Sequence, residues 1–139
     1  ADLVIIPGGG ARNPATYETI EQGLHYFKMS GREVFKHAVR RMGAAVNKCL
    51  EEARLTNEQI SWVVPHQANL RIIEAIAKYV DVPMEKFLVN LDECANTSAA
   101  SLMLAYDEAN KKGVLKSKDI LLMLAIGAGF VWGAGLYRV

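Results

Sequence analysis

The stretch SWVVPHQANLRIIEAIAKYV, residues 61–80, changes its period half-way along. Ser61-Trp62-Val63-Val64 is a short apolar, β-branched run ended by Pro65, which reads as a buried strand. From Asn69 to Val80 the spacing becomes helical, with Leu70, Ile73, Ala77 and Val80 expected inward and Arg71, Glu74 and Lys78 outward. Between the two lies Pro65-His66-Gln67-Ala68-Asn69, at the C-terminal end of the strand. The carboxyl ends of strands are where open α/β sheets bind ligands.

Reading outward, the arrangement recurs. Phe87-Leu88-Val89 reads as a strand. Asn96-Thr97-Ser98 then opens a helix, from Thr97 or Ser98 to Lys112, with Gly113 as its C-terminal cap. Upstream, Ser30 and Glu33 match a capping box that predicts a helix to near Ala53. Its apolar face is expected to be Val34, Phe35, Ala38, Val39, Met42, Ala45, Val46, Cys49 and Leu50. Thr56 and Gln59 match a second, shorter box. Asp119 to Ile126 is a further apolar strand, Gly127-Ala128-Gly129 a tight turn and Phe130 to Val139 a closing strand. The order α-β-α-β-α-β-β predicts an α/β fold. Its sheet should be mostly parallel and covered on both faces, with an antiparallel closing pair.

Residues 7–30 hold Pro7, Gly8-Gly9-Gly10, Asn13-Pro14 and Gly23, punctuation that reads as a long crossover loop. Ala1 leads straight into Leu3-Val4-Ile5-Ile6, which reads as the end of a strand begun elsewhere, or as a processed or trimmed terminus. The expected organisation is residues 1–30 as strand end and crossover loop, and residues 31–139 as one half-domain.

The chain has 139 residues, 51% of them apolar, which suits one domain with a real core. A net charge of +1 argues against a nucleic-acid partner. No apolar run approaches the roughly 18 residues of a membrane span, and no signal segment is seen. Cys49 and Cys94 form no disulfide framework, and the His and Cys residues show no metal-ligand spacing. The composition is that of a cytoplasmic α/β domain.

His66 is either a satisfied strand-end histidine or a functional one. Asn96 is either a cap or turn residue, or a site residue. Together, a neutral imidazole and a carboxamide can donate two hydrogen bonds to one oxygen that gains negative charge. Arg32, Lys36 and Arg40 recur at helical spacing, as do Arg71 and Lys78. Each set is a solvated face or a surface for an acidic partner.

Three phrases, WVVPHQANLRII, LDECANTSAAS and IGAGFVWGAGLYRV, with MSGREVFKHAV upstream, together resemble the C-terminal half of beta-ketoacyl-acyl-carrier-protein synthase III. The resemblance implies one half of a thiolase-like α-β-α-β-α sandwich. It implies a decarboxylative Claisen condensation of acetyl-CoA with malonyl-acyl-carrier protein, giving acetoacetyl-acyl-carrier protein and initiating fatty-acid synthesis. Acetyl-CoA enters as a substrate, and no permanently bound cofactor is expected. His66 and Asn96 would hold the malonyl thioester oxygen, with a backbone group expected to fix the His66 tautomer. The Ala128 N–H would complete an oxyanion hole, which requires φ to stay negative there.

Gly31, Phe35, Ala38 and Asn69 match positions lining the coenzyme A channel. Gln67, Ala68, Asn69, Leu70 and Arg71 match the carrier-protein segment, with Lys36 and Lys78 as helpers. Partners implied are the malonyl-carrier protein, an N-terminal half bearing the nucleophilic Cys, and a second copy in a homodimer. Cys94 and Cys49 match no catalytic position, and Ala95 stands where the family often has Gly. The alternatives are a related acyltransferase with a branched-chain, polyketide or quinolone primer, and a non-catalytic carrier-binding fragment.

Overall fold

A computed structural model describes residues 3–139; Ala1 and Asp2, part of the expected strand end and crossover loop 1–30, lie outside them. The elements are β1 (Val4–Ile5), α1 (Tyr17–Glu21), β2 (Lys28–Met29), α2 (Gly31–Ala53), β3 (Trp62–Pro65), α3 (Leu70–Val80), α4 (Leu91–Cys94), α5 (Ala100–Lys111), β4 (Ile120–Gly127) and β5 (Val131–Arg138). Single 3-10 turns occupy Asn57–Gln59 and Met84–Lys86.

The main sheet runs β3–β4–β5. β3 and β4 are parallel, with Val63 opposite Leu122. β4 and β5 form the expected antiparallel pair over their full lengths. Side chains alternate across the sheet, as the pleat demands. Val63, Leu122 and Leu124 join the core under α2 and α3, with Val46, Ile73 and Ile76. Val64 and Leu121 point the other way, onto Ala105 and Ala109 of α5. One sheet between two helical layers is the expected α/β arrangement, but the sheet is mixed rather than mostly parallel, because only β3 and β4 run parallel and the antiparallel β4–β5 pair is the longer one.

Several local expectations are corrected. Phe87–Val89 is not a strand but a single parallel bridge of Phe87 to Val63, with the Leu88 N–H donating to Val63 O at 2.9 Å. The crossover loop contains α1, capped by Thr16 and Thr19. It also contains β2, which pairs antiparallel with β1. α2 has the expected length, but Ser30 makes no side-chain cap, and the Glu33 carboxylate pairs with Lys36 at 2.9 Å rather than reaching back to the Ser30 N–H. Thr56 and Gln59 do form their box, with the Thr56 N–H on Gln59 Oε1 at 2.9 Å. α3 buries Ile72, Ile73, Ile76, Ala77 and Val80. Leu70, expected inward, is 47% exposed. α5 begins at Ala100, later than expected, and Gly113 at φ +66° closes it.

Gly43 decides how closely α2 approaches α3. A Cβ there would stand 2.2 Å from Tyr79 Cδ1 and 2.9 Å from its Cγ. The tyrosine ring would have to leave the helix surface. Overpacking of this kind costs about 1–3 kcal/mol, and better helix propensity returns about 1 kcal/mol. Gly43→Ala is expected to lower stability by up to about 2 kcal/mol in urea unfolding; a raised midpoint would contradict this packing.

Among the described residues no helix is long and apolar enough to cross a membrane.

Candidate active site

The carboxyl ends of β3 and β4 open into a cleft of about 1560 Å³. Four connections supply its walls. The start of α2 gives Gly31, Arg32, Val34, Phe35 and Lys36. The β3–α3 turn gives His66, Ala68 and Asn69. The segment before α5 gives Asn96, Ser98 and Ala99. The β4–β5 turn gives Gly127 and Ala128, with Phe130 and Trp132 of the closing arm beside them. His66, Asn96 and Ala128, far apart in the chain, thus face one space.

His66 is placed by the sheet. Its N–H donates to Leu124 O at 2.8 Å and so extends the β3–β4 ladder by one residue. Its ring is half-buried, and Nδ1 lies 2.6 Å from Ser101 Oγ. Burial pushes the imidazole pKa below its usual value, while the Ser98 carbonyl works the other way. The ring is therefore neutral at pH 7. This burial therefore costs nothing above pH 6.5 or so, and stability falls as pH drops from there through the lowered pKa.

Asn96 is held by strained backbone. Its Oδ1 accepts the Ser98 N–H at 2.9 Å, an Asx-type turn. With Oδ1 so occupied, Nδ2 is the end with protons to offer. Ser98 sits at φ +55° and Ala95 at φ +53°, the latter with ψ −161°. That corner of the map belongs almost entirely to glycine, and a side chain there costs about 1–3 kcal/mol. Ala95→Gly is expected to raise stability by about 1 kcal/mol, after the added chain entropy is subtracted. A lower unfolding midpoint in Ala95→Gly would show that the methyl is not strained. Ala128, by contrast, is not among the residues at positive φ, which meets the condition set for its N–H.

The four residues matched to the channel lie at one cleft. Gly31, Phe35 and Asn69 line the cleft, and Ala38, itself fully buried, backs its wall. Asn69 also caps α3, its Oδ1 accepting the Arg71 N–H at 2.9 Å. The expected carrier segment divides. Arg71 and Leu70 are exposed, and Arg71 reaches the cleft mouth with Arg32 and Lys36. Lys78 is exposed but lies away from the cleft.

Gln67 is a correction. It is fully buried, so it cannot meet a carrier protein. Its Nε2 donates to Pro65 O and Leu88 O, and its Oε1 accepts the Asn90 N–H.

Cys49 and Cys94 do not line the cleft. Burial, helped by Glu52, pushes the Cys49 thiol up, the wrong direction for a nucleophile. Sequence reasoning missed Ser101 and the aromatic wall of Phe130 and Trp132. Trp132 is covered by the Arg41 guanidinium, 4.2 Å from its ring centre. Among the described residues no group of His, Cys, Asp and Glu is arranged to hold a metal.

Residues 50–139 match the family model described as 3-oxoacyl-[acyl-carrier-protein (ACP)] synthase III C terminal. The chain belongs to the beta-ketoacyl-[acyl-carrier-protein] synthase III family. It is 47% identical to the synthase III of Chlamydia caviae over 99% of this chain and 41% of that protein. It is 49% identical to that of Roseiflexus sp., over 99% of this chain and 42% of that protein. The crystal structure of the synthase III from Aquifex aeolicus superposes with a TM-score of 0.80 at 48% identity, over 83% of this chain and 37% of that one. The thiolase-like fold of the synthase III family is thereby shown. The chain spans about two fifths of the length of the curated relatives it matches.

Proposed function

We propose that this chain is the C-terminal part of a decarboxylating condensing enzyme, and that it holds the malonyl thioester while carbon dioxide leaves. The observation that carries the reading is the shared cleft: His66, Asn96 and the Ala128 turn line it from three separate connections. Loss of carbon dioxide from a malonyl thioester leaves an enolate with its charge mostly on oxygen. Donors aimed at that oxygen before the charge arrives are what lower the barrier. His66 and Asn96 supply these two donors.

The Ala128 N–H serves the second oxyanion, formed when the enolate carbon attacks the acyl-enzyme thioester. That acyl group comes from acetyl-CoA and rides on a Cys of the N-terminal half, which matches neither Cys49 nor Cys94. Acetyl-CoA is a substrate here, and its pantetheine arm runs past Gly31, Phe35 and Asn69. The product is acetoacetyl-acyl-carrier protein, the first intermediate of fatty-acid synthesis. The complete enzyme is a cytoplasmic homodimer, with residues 1–30 as the crossover into the half-domain 31–139.

The test is product formation by the complete enzyme from acetyl-CoA and malonyl-carrier protein. Acetoacetyl-carrier protein is expected; an acetylated Cys that malonyl-carrier protein never discharges would contradict the reading.

Arg71, exposed at the cleft mouth beside Arg32 and Lys36, is the cation that meets the acidic carrier protein. Reversing one interface charge acts mainly on encounter and on salt dependence. Arg71→Glu is expected to lower kcat/KM for malonyl-carrier protein about 10-fold or more, and to leave Cys acetylation by acetyl-CoA nearly unchanged. Equal losses in the two half-reactions would remove Arg71 from the carrier surface.

A further inference from the structure

Ser101, on the inner side of α5, has a fully buried hydroxyl that makes three contacts. The Gln67 N–H reaches its Oγ at 3.1 Å. Ser98 O lies at 2.9 Å. His66 Nδ1 lies at 2.6 Å. One hydroxyl carries one proton and two lone pairs. The amide of Gln67 can only donate, so it takes one lone pair. The carbonyl of Ser98 can only accept, so it takes the proton. His66 Nδ1 is then left facing a lone pair and must itself be the donor.

The placement of this proton fixes the far side of the ring as well. A neutral imidazole with its proton on Nδ1 presents a bare Nε2 to the cleft. Yet an oxygen gaining negative charge there needs an N–H. The hydroxyl has a second full arrangement: it turns its proton from Ser98 O to Nδ1, and the imidazole proton moves to Nε2. That turn gives up the hydrogen bond to Ser98 O, about 0.5–1.5 kcal/mol. A thioester oxygen seated against Nε2 offsets it, and more so as charge develops.

We propose that Ser101 is the positioning residue of His66, a two-position hydroxyl that keeps the ring proton on Nδ1 in the empty cleft and releases it to Nε2 when an oxygen acceptor arrives. The inference rests on the decarboxylating role given to His66 above. The proton count is unchanged by the switch: one ring proton and one hydroxyl proton are present before and after, with the ring proton exchanged through solvent in the half-open cleft. The Ser98 backbone, which acts on the ring as expected, is thus joined by a side chain that is itself anchored to backbone on both sides.

The test is nitrogen NMR of the complete enzyme labelled with 15N-histidine, with His66 assigned by its loss in His66→Gln. The probe is sulfoacetyl-pantetheine, a thioester in which a sulfonate that cannot leave replaces the malonyl carboxylate. In the free wild-type enzyme the Nδ1–H tautomer should dominate, and saturating probe should shift the ring to Nε2–H. In Ser101→Ala the free enzyme should lose its Nδ1–H preference. Its kcat for decarboxylation should fall about 10- to 100-fold with KM little changed, the size of one charge-assisted hydrogen bond. Ser101→Thr, which keeps the hydroxyl, should restore the tautomer response.

An Nε2–H ring in the free wild-type enzyme overturns the proposal, even if Ser101→Ala does not fold. So does a tautomer that is the same in wild type and Ser101→Ala. Failure of the decarboxylating role reads differently: the wild-type enzyme would show the Nδ1–H ring when free, but would release no carbon dioxide from malonyl-carrier protein.

Discussion

Replacing His66 by Ala in the complete enzyme should slow carbon dioxide release from malonyl-carrier protein about 10²–10³-fold, and Asn96→Ala should do nearly as much. The size follows from what each removes. One preorganised donor at a developing oxyanion is worth about 2.7–4 kcal/mol when the site is shielded from water. His66 qualifies because its ring is half-buried and its pKa is held below the usual value by that burial, so it carries no charge of its own at pH 7. Asn96 qualifies because Ser98 occupies its carbonyl end. Since both donors address one oxygen, the double variant should lose less than the product of the two single losses. Acetylation of the nucleophilic Cys should proceed in all three variants. Decarboxylation at the wild-type rate in either single variant would take that residue out of the mechanism.

The largest expected effect on stability lies one residue further on. Gln67→Ala should cost about 3–5 kcal/mol, a large share of the roughly 5–15 kcal/mol that holds a typical domain together. The Gln67 carboxamide satisfies Pro65 O at 2.9 Å, Leu88 O at 3.1 Å and the Asn90 N–H at 3.2 Å. Truncation leaves all three backbone groups without that partner in a region closed to water. Each such loss costs about 1–3 kcal/mol. Gln67→Glu should not rescue it, because a carboxylate has no proton for Pro65 O or Leu88 O. Urea unfolding of the assembled protein measures this. A loss under 1 kcal/mol in Gln67→Ala would mean that water replaces the side chain without difficulty.

Gln67 also shows where a sequence stops being legible. β3, α3, β4 and β5 were readable because their apolar periods are long and end at proline, asparagine or glycine. His66 and Asn96 stand out only as a pair and through the phrases around them, because alone each has an ordinary structural reading, as a strand-end histidine and as a cap or turn residue. Gln67 and Phe87–Val89 were misread together, for one physical reason. The segment at Phe87 meets β3 through one bridge only, and the Gln67 side chain supplies the partners that a longer ladder would have given. A side-chain amide standing in for backbone leaves no periodic mark. The carrier-surface role expected of Gln67 comes from the resemblance of residues 67–71 to a family segment, which does not mark which of its side chains is buried.

Leu70 was misplaced for another reason. The phase of α3 is the expected one, since Ile73, Ala77 and Val80 are buried, but Leu70 is the first residue of the helix and lies at its exposed end. The carriers of the further inference were hidden more deeply. Ser101 lies in a run of small residues, and its distance to His66 depends on how α5 packs against β3.

The central claim is that these 139 residues supply the groups that stabilise the enolate, while the acyl group sits on a Cys outside them. Mass spectrometry of the complete enzyme, digested after exposure to acetyl-CoA, tests it most directly. The account predicts one acetyl group on a Cys outside these residues, discharged on addition of malonyl-carrier protein, with Cys49 and Cys94 unmodified. A dischargeable acetyl group on Cys49 or Cys94, or none on any Cys, would contradict it.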